Sequence, residues 1–387
     1  MATATATVTR GPAPGLKAAA SGPGSGPDRA RPTGAHELHA EVRIQEGGST
    51  KPPALARLRR SVLSVQNLWL WPFTHYKATN KVMLCYRTLF QDLGYKGSNE
   101  DRLAATFRDY LMPLRGWVHR NTPLLLHVNK RFIQSLPFGC PGIMRYLDAR
   151  TRWLDQEVAT ALTEGFTQVV VVAAGFDSRA YRFAAPGVTF FEVDLPEASE
   201  AKRRMVDATL PPGQFPRPAY IAADLSVLPL AQALTAGGAG GSGGAGGGGG
   251  GGGGARFDPA ARTLFTVEGL LYYLPPDAVS QLLVSIRSVA APGSRVAFDF
   301  LRADVFSGAA WEPGYETLRL TVANKGEPKR SGLDPAELGP YLGERGWRLA
   351  AAPSPQEVAA ALYPHRRWRS LSPVLPPFFR FAAAEVQ

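Results

Sequence analysis

Three acids stand where apolar runs stop: Asp194 after residues 188–193, Asp224 after 220–222 and Glu268 after 263–267. Carboxylates at strand ends are suited to accepting hydrogen bonds from sugar hydroxyls and to balancing a cation. Asp194 lies about 20 residues beyond Gly175, the interval at which a nucleoside-binding unit places an acid on a ribose, and Glu192 falls on the same strand face. Each acid also has a plainer reading. Residues 194–197 spell a capping box with Pro196 in the first turn of the following helix, Asp224 can close a turn, and Glu268 can be a solvated loop acid. Acids at the ends of successive strands fit one shared site better.

A charge of opposite sign comes from Arg150. Ile143, Leu147, Leu154 and Val158 define the buried seam of a helix over residues 143–162, and Arg150 completes their spacing. An arginine there needs an anion, unless its stem lies along the core and its head reaches water. The expectation is that Arg150 points over the sheet toward a carboxylate, one that a ligand can supply.

These residues need a scaffold. Residues 169–172 form a β-branched run that gives way to Ala173, Ala174 and Gly175, the pattern of a strand buried on both faces and ending in a tight turn. In open α/β sheets ligands bind at such ends. Further strands are expected at 188–193, 220–222, 263–267 and 295–300, then from Trp347, and at 378–381 with the alanines that follow. The expected fold is α/β and Rossmann-like: a seven-stranded, mostly parallel sheet with an antiparallel edge strand, behind an N-terminal helical cap over residues 56–142.

Within the cap, Asn99 is expected to start a helix with Leu103, Phe107, Tyr110 and Leu114 on one face. Thr122 and Pro123 open another, carrying Leu124, Val128, Phe132 and Leu136. Trp69, Trp71, Phe73 and Tyr76 read as aromatic core of the cap. Asp334, Pro335 and Glu337 suggest a further capping box, for a helix that stops near Gly346.

The 41 glycines and 33 prolines among 387 residues exceed what one compact domain of ordinary composition uses. Residues 1–55 lack apolar periodicity and are expected to be disordered. Their acid-poor opening reads equally well as a chloroplast or other organellar transit peptide and as a low-complexity tail on a cytoplasmic protein. Residues 237–254 are glycine except for Ala239, Ser242 and Ala245; they lack the Lys-Ser/Thr ending of a phosphate loop and read as a flexible insertion. No run is long enough to span a membrane. Nearly half of the net charge of +11 sits in the first 60 residues, which argues against a nucleic-acid groove. Cys85 and Cys140 make neither a disulfide framework nor a zinc site, and no metal is expected.

Four segments in order carry a resemblance: Val172-Ala-Ala-Gly-Phe-Asp-Ser-Arg-Ala-Tyr-Arg182, Phe191-Glu-Val-Asp-Leu-Pro196, Val267-Glu-Gly-Leu-Leu-Tyr-Tyr-Leu-Pro275 and Ala291-Pro-Gly-Ser-Arg-Val-Ala-Phe-Asp299. They resemble the leucine carboxyl methyltransferase family over about residues 143–385, with 56–142 similar only as a helical cap. The resemblance implies a class I methyltransferase fold with S-adenosylmethionine as cofactor. Arg150 then matches the arginine that holds the cofactor carboxylate, and Ala174, Gly175 and Asp177 the glycine turn. Asp194, with Glu192 beside it, matches the ribose acid, Asp224 and Leu225 the adenine contacts, and Glu268 the carboxylate after the fourth strand. Tyr273 matches a tyrosine near the substrate side. Ala173 stands where the family has glycine, a departure that is tolerated if its φ stays negative.

The acceptor implied is an oxygen of a small molecule or of a protein carboxylate. An RNA methyltransferase and a cofactor-binding protein without catalysis are the alternatives, the first lacking an aromatic and basic stripe. The motif-bearing core holds no histidine: His36 and His39 lie in the tail, His75, His119 and His127 in the cap, and His365 after the sixth strand. A carboxylate needs no base and a phenol does. The sequence therefore leans toward a carboxylate or otherwise acidic oxygen.

Overall fold

In the computed structural model, which describes residues 79–136, 139–236, 255–323, 326–364 and 375–386, β1 (Gln168–Val172) is buried at every position. Val169 and Val171 join one apolar cluster, Val170 and Val172 the other. A strand between two helical layers has no polar face, which is why this run does not alternate.

Among the described residues five helices precede it: α1 (Thr79–Asp92), α2 (Arg102–Leu111), α3 (Pro113–Asn121), α4 (Pro123–Gln134) and the long α5 (Ile143–Thr163). After β1 come α6 (Arg179–Arg182), β2 (Thr189–Asp194), α7 (Pro196–Thr209), β3 (Ala219–Ala222), α8 (Leu230–Ala236) and β4 (Thr263–Val267). A 3-10 turn (Leu271–Tyr273) leads to α9 (Pro276–Val289), β5 (Arg295–Leu301), α10 (Ala303–Ser307) and α11 (Tyr315–Ala323). The chain ends with α12 (Leu338–Gly343), β6 (Trp347–Ala351), α13 (Pro355–Leu362) and β7 (Phe379–Val386).

The seven strands lie in the order β3-β2-β1-β4-β5-β7-β6. The ladders from β3 to β5 are parallel, and β7 runs antiparallel to both β5 and β6. The antiparallel strand thus sits one place in from the edge, and the edge itself is β6. Val172 pairs with Val193 on one side and Val267 on the other, so Asp194 and Glu268 emerge at one level beyond β1. The winding reverses between β1 and β4, which opens a crevice at their carboxyl ends.

Helix α5 keeps the expected seam: Ile143, Leu147, Leu154 and Val158 are buried, and so is Arg150. Leu84, Phe107 and Leu126 of the preceding helices share one apolar cluster with Leu154 and Val171. Several helix starts differ from expectation. Asp101, not Asn99, caps α2, accepting the Ala104 N–H at 3.0 Å. Asn99 is buried, and its backbone and side-chain N–H groups both donate to Asp148 Oδ1, at 2.7 and 2.8 Å. Pro113 opens a new helix, so Leu114 does not continue the Phe107 face; Leu114 and Tyr110 are both exposed. In α4 the buried residue is Leu126, while Leu124 and Val128, and Leu136 beyond the helix, are exposed. Neither expected capping box forms: α7 begins after Leu195 and α12 after Glu337, without side-chain cap bonds, and Asp334 accepts the Ala336 N–H instead. A reciprocal box is found at Ser354 and Glu357, on α13.

Trp69, Trp71, Phe73, Tyr76, His36, His39, His75, His365, the tail 1–55 and the glycine tract 237–254 lie outside the described residues. Among the described residues no helix is long and apolar enough to cross a membrane.

Candidate functional site

The turn after β1 is built on two left-handed residues, Ala173 (φ +52°) and Gly175 (φ +45°). Ala173 is the one non-glycine residue with positive φ among those described, contrary to the expectation for that position. The conformation costs an alanine about 1–2 kcal/mol. It is held from both sides. Ala174 N–H donates to the Val193 carbonyl at 3.1 Å, and Gly175 N–H donates to Asp194 Oδ2 at 2.6 Å. The other oxygen of Asp194 accepts the Leu195 N–H at 2.8 Å, so this carboxylate braces the turn rather than capping α7 through a box. A Cβ placed on Gly175 would meet nothing nearer than 3.9 Å, which leaves the face of the turn open to a ligand.

Glu192 does not join Asp194. It is 2 % exposed and lies 2.8 Å from Lys202 of α7, with neither its oxygens nor Nζ in hydrogen-bonding geometry. Burial pushes its carboxyl up to about 7 against the pull of Lys202. Asp194 stands at the strand end, where the backbone turns it outward, whereas Glu192 is still inside the sheet and covered by helix. Asp177 is buried too, and accepts from Arg179 through the backbone N–H at 2.7 Å and Nη1 at 2.5 Å. Asp224 is further out beside half-buried Leu225; hydrogen bonding from Ser226, first from its side chain and then from its N–H at 2.9 Å, lowers its carboxyl below the usual range.

Glu268 is the centre of charge. Its Oε1 takes Arg87 Nη2 at 2.7 Å and Arg150 Nε at 3.0 Å, and its Oε2 takes Arg179 Nη1 at 2.6 Å. Burial alone raises such a group, but the three guanidiniums outweigh it and hold Glu268 well below the carboxylate range. Arg150 continues through Nη1 to the Tyr272 hydroxyl at 3.1 Å and to Asp299 Oδ2 at 3.4 Å. Asp299 also accepts from the Tyr146 hydroxyl and from Gly269 N–H, the latter at 2.6 Å. A Cβ on Gly269 would stand 2.9 Å from Arg150 Nη1; glycine lets the guanidinium lie on the backbone. The anions that Arg150 requires are therefore supplied first by the protein itself, and Nη2 is the terminal nitrogen these bonds leave over.

On its other side Arg150 walls a cavity of about 120 Å³, together with Tyr272, Tyr273, Phe379 and apolar residues of α1, α5 and α11. Lys329 also lines this space. It is 9 % exposed, and its Nζ lies 4.1 Å from the ring centre of Tyr272, 4.9 Å from Phe379 and 5.3 Å from Tyr273. Neither described cap histidine lines the cavity. His119 is buried against Asp92 at 2.6 Å and Arg108 at 3.2 Å, and His127 is exposed beside Tyr95.

Sequence reasoning missed Arg87, Arg179, Asp299 and Lys329. Asp299 left a signal, an acid inside the apolar run of β5. Arg179 sat in the motif after β1 without an assigned role. Lys329 left none, since no motif or periodic run includes it.

The leucine carboxyl methyltransferase family matches residues 111–241 and 253–287, which hold Arg150, the Gly175 turn, Asp194, Asp224, Glu268 and Tyr273. The chain is similar to this family over those residues. A Mycobacterium marinum protein provisionally named an S-adenosyl-L-methionine-dependent methyltransferase is 33% identical over 239 residues, covering 58% of this chain and 65% of that one. A Mycolicibacterium smegmatis protein with the same provisional name is 32% identical over 221 residues, 54% of this chain and 64% of that one. The match spans just under two thirds of these relatives' length. A solved DUF574 family protein from Streptomyces avermitilis is 16% identical with a TM-score of 0.46, over 78% of this chain and 97% of that one; so distant a likeness adds nothing to what the strand order itself establishes.

Proposed function

We propose that this chain is an S-adenosylmethionine-dependent methyltransferase that delivers a methyl group to an oxygen of an acceptor seated in the cavity beside Arg150. The observation that carries the reading is the double position of Arg150, which belongs both to the charged crevice at the ends of β1 and β4 and to the wall of the apolar cavity. The groups present fit the cofactor's chemistry: Asp194 at an open glycine turn for a ribose diol and Nη2 of Arg150 for a carboxylate.

S-adenosylmethionine, held by Asp194 and Arg150, would supply an electrophilic methyl group on a sulfonium, with the neutral thioether as its leaving group. The protein's part is alignment and exclusion of water. The aromatic and aliphatic wall keeps the acceptor dry. Burial pushes the Tyr273 hydroxyl up to about 12, so it remains a proton donor that can orient the acceptor oxygen. Glu268 and Asp299 hold the Arg150 head in place through opposed bonds.

Two measurements test this reading: calorimetry with S-adenosylhomocysteine, and transfer of label from methyl-labelled S-adenosylmethionine to fractionated cell extract. Binding with labelled small molecule or protein is expected. A folded protein that binds neither S-adenosylhomocysteine nor S-adenosylmethionine removes the reading.

A further inference from the structure

Lys329 carries an amine with no anion in contact among the described residues. Among the described residues no carboxylate lies within ion-pair distance of its Nζ; Asp299 attracts it only from further off and is already engaged by Arg150, Tyr146 and Gly269. Ring faces surround the amine, and its remaining side is the cavity. We propose that Lys329 is the general base of the reaction and that the acceptor is a weakly acidic hydroxyl on an apolar body of about one ring, a phenol-type group. The proposal rests on the methyltransferase reading above.

The size of the space sets the body: about 120 Å³ compares with the roughly 150 Å³ engineered cavity that holds benzene in a protein core. Elimination sets the base. Of the other proton-bearing groups on the wall, burial raises Tyr86, Tyr146, Tyr272 and Tyr273 and brings Cys140 to about 12, so all keep their protons at neutral pH. Burial opposes charge on Arg150, but Glu268 and Asp299 keep it charged. Lys329 alone moves toward neutrality: burial lowers it to about 7, with Asp299 opposing, Arg150 assisting and Cys140 close by. A neutral amine there accepts the hydroxyl proton as the new oxygen–carbon bond forms. The products are the methyl ether, S-adenosylhomocysteine and the Lys329 ammonium, which the three rings then stabilise.

The test uses the full chain, methyl-labelled S-adenosylmethionine, and single-ring phenols set against the matching benzoates. Wild type is expected to methylate at least one phenol in preference to its benzoate, with an acidic limb near pH 7. Lys329→Met and Lys329→Arg should each lose turnover by about a hundredfold or more while S-adenosylhomocysteine affinity stays within about twofold. Arginine is the decisive variant, because it keeps a cation and cannot act as a base. Turnover retained in Lys329→Arg, preference for the benzoates, or no phenol methylated by protein that binds S-adenosylhomocysteine overturns the proposal and leaves the methyltransferase reading standing. Absence of S-adenosylhomocysteine binding strikes that reading instead. A turnover-free check is the Lys329 side-chain resonance in protein carrying carbon-labelled lysine, assigned by its loss in Lys329→Met: titration near neutrality supports the base, and titration above pH 9 excludes it.

Discussion

Nε of Arg150 lies 3.0 Å from Oε1 of Glu268, tying the helix that covers the sheet to the strand end beneath it. The pair makes Arg150 a structural residue as well as a candidate ligand. Arg150→Ala leaves Asp299, fully buried, and Glu268 with one guanidinium fewer, and breaking a buried pair from one side costs about 3–5 kcal/mol. We expect urea denaturation to register a loss of that order, and calorimetry to show S-adenosylhomocysteine binding weakened beyond what the unfolded fraction explains. Unchanged stability would mean that Arg87 and Arg179 neutralise the cluster without help.

Asp194 separates two roles in a simpler way. Asp194→Asn keeps one oxygen for the Gly175 or Leu195 N–H but removes the negative charge and puts a donor where an acceptor stood. The expected stability loss is about 1 kcal/mol, and the expected drop in S-adenosylhomocysteine affinity is about tenfold or more. Normal affinity in the folded variant would confine Asp194 to bracing the turn.

Ala173 offers a test of strain. Its φ of +52° is costly for any residue with a Cβ, and glycine removes that cost while adding freedom to the unfolded chain. The two effects oppose, and the strain is the larger, so Ala173→Gly should stabilise the protein by up to about 1 kcal/mol. Ala173→Val should destabilise it. Chemical denaturation of both variants checks the order, and a less stable glycine variant would show that the alanine methyl is held by packing.

Strands and the long helix were legible in the sequence because each rests on a local pattern. The run of β1 is apolar at consecutive positions, and α5 carries its seam at helical spacing with Arg150 in register. Register places Asp194 and Glu268 at one level beyond β1, and Gly175 N–H reaches Asp194. Cap residues were misread where a choice between neighbours depends on tertiary partners: Asn99 is drawn away from α2 by Asp148, which leaves Asp101 to cap. Glu192 misled for a related reason, since period-two alternation assigns a face but not whether a helix covers it. Lys329 could not be found from spacing at all. Its cage joins Tyr272, Tyr273 and Phe379, and only the fold brings these to the loop that carries it.

The buried Glu192–Lys202 pair gives the last prediction, in which pH dependence has a definite sign. Glu192 is raised to about 7, first by burial and further by Asp177 and Asp194, with Lys202 opposing; the nearby Tyr181 and Tyr220 hydroxyls stay protonated. A folded carboxyl raised above its unfolded value binds a proton that the unfolded chain has released, so folding stability falls as pH rises from about 4.5 to about 7. The contribution is on the order of 3 kcal/mol. Lys202→Met removes the opposing cation and should extend this fall to higher pH, enlarging its total. Glu192→Gln with Lys202→Met should abolish it and be neutral or stabilising at pH 8, because a buried ion pair without good hydrogen-bonding geometry repays little of its desolvation. Equilibrium denaturation of the wild type and both variants across pH 4.5 to 8 decides the matter. If the double variant keeps the wild-type slope, Glu192 is not the group that titrates; if it is several kcal/mol less stable at pH 8, the pair is a net stabiliser despite its burial.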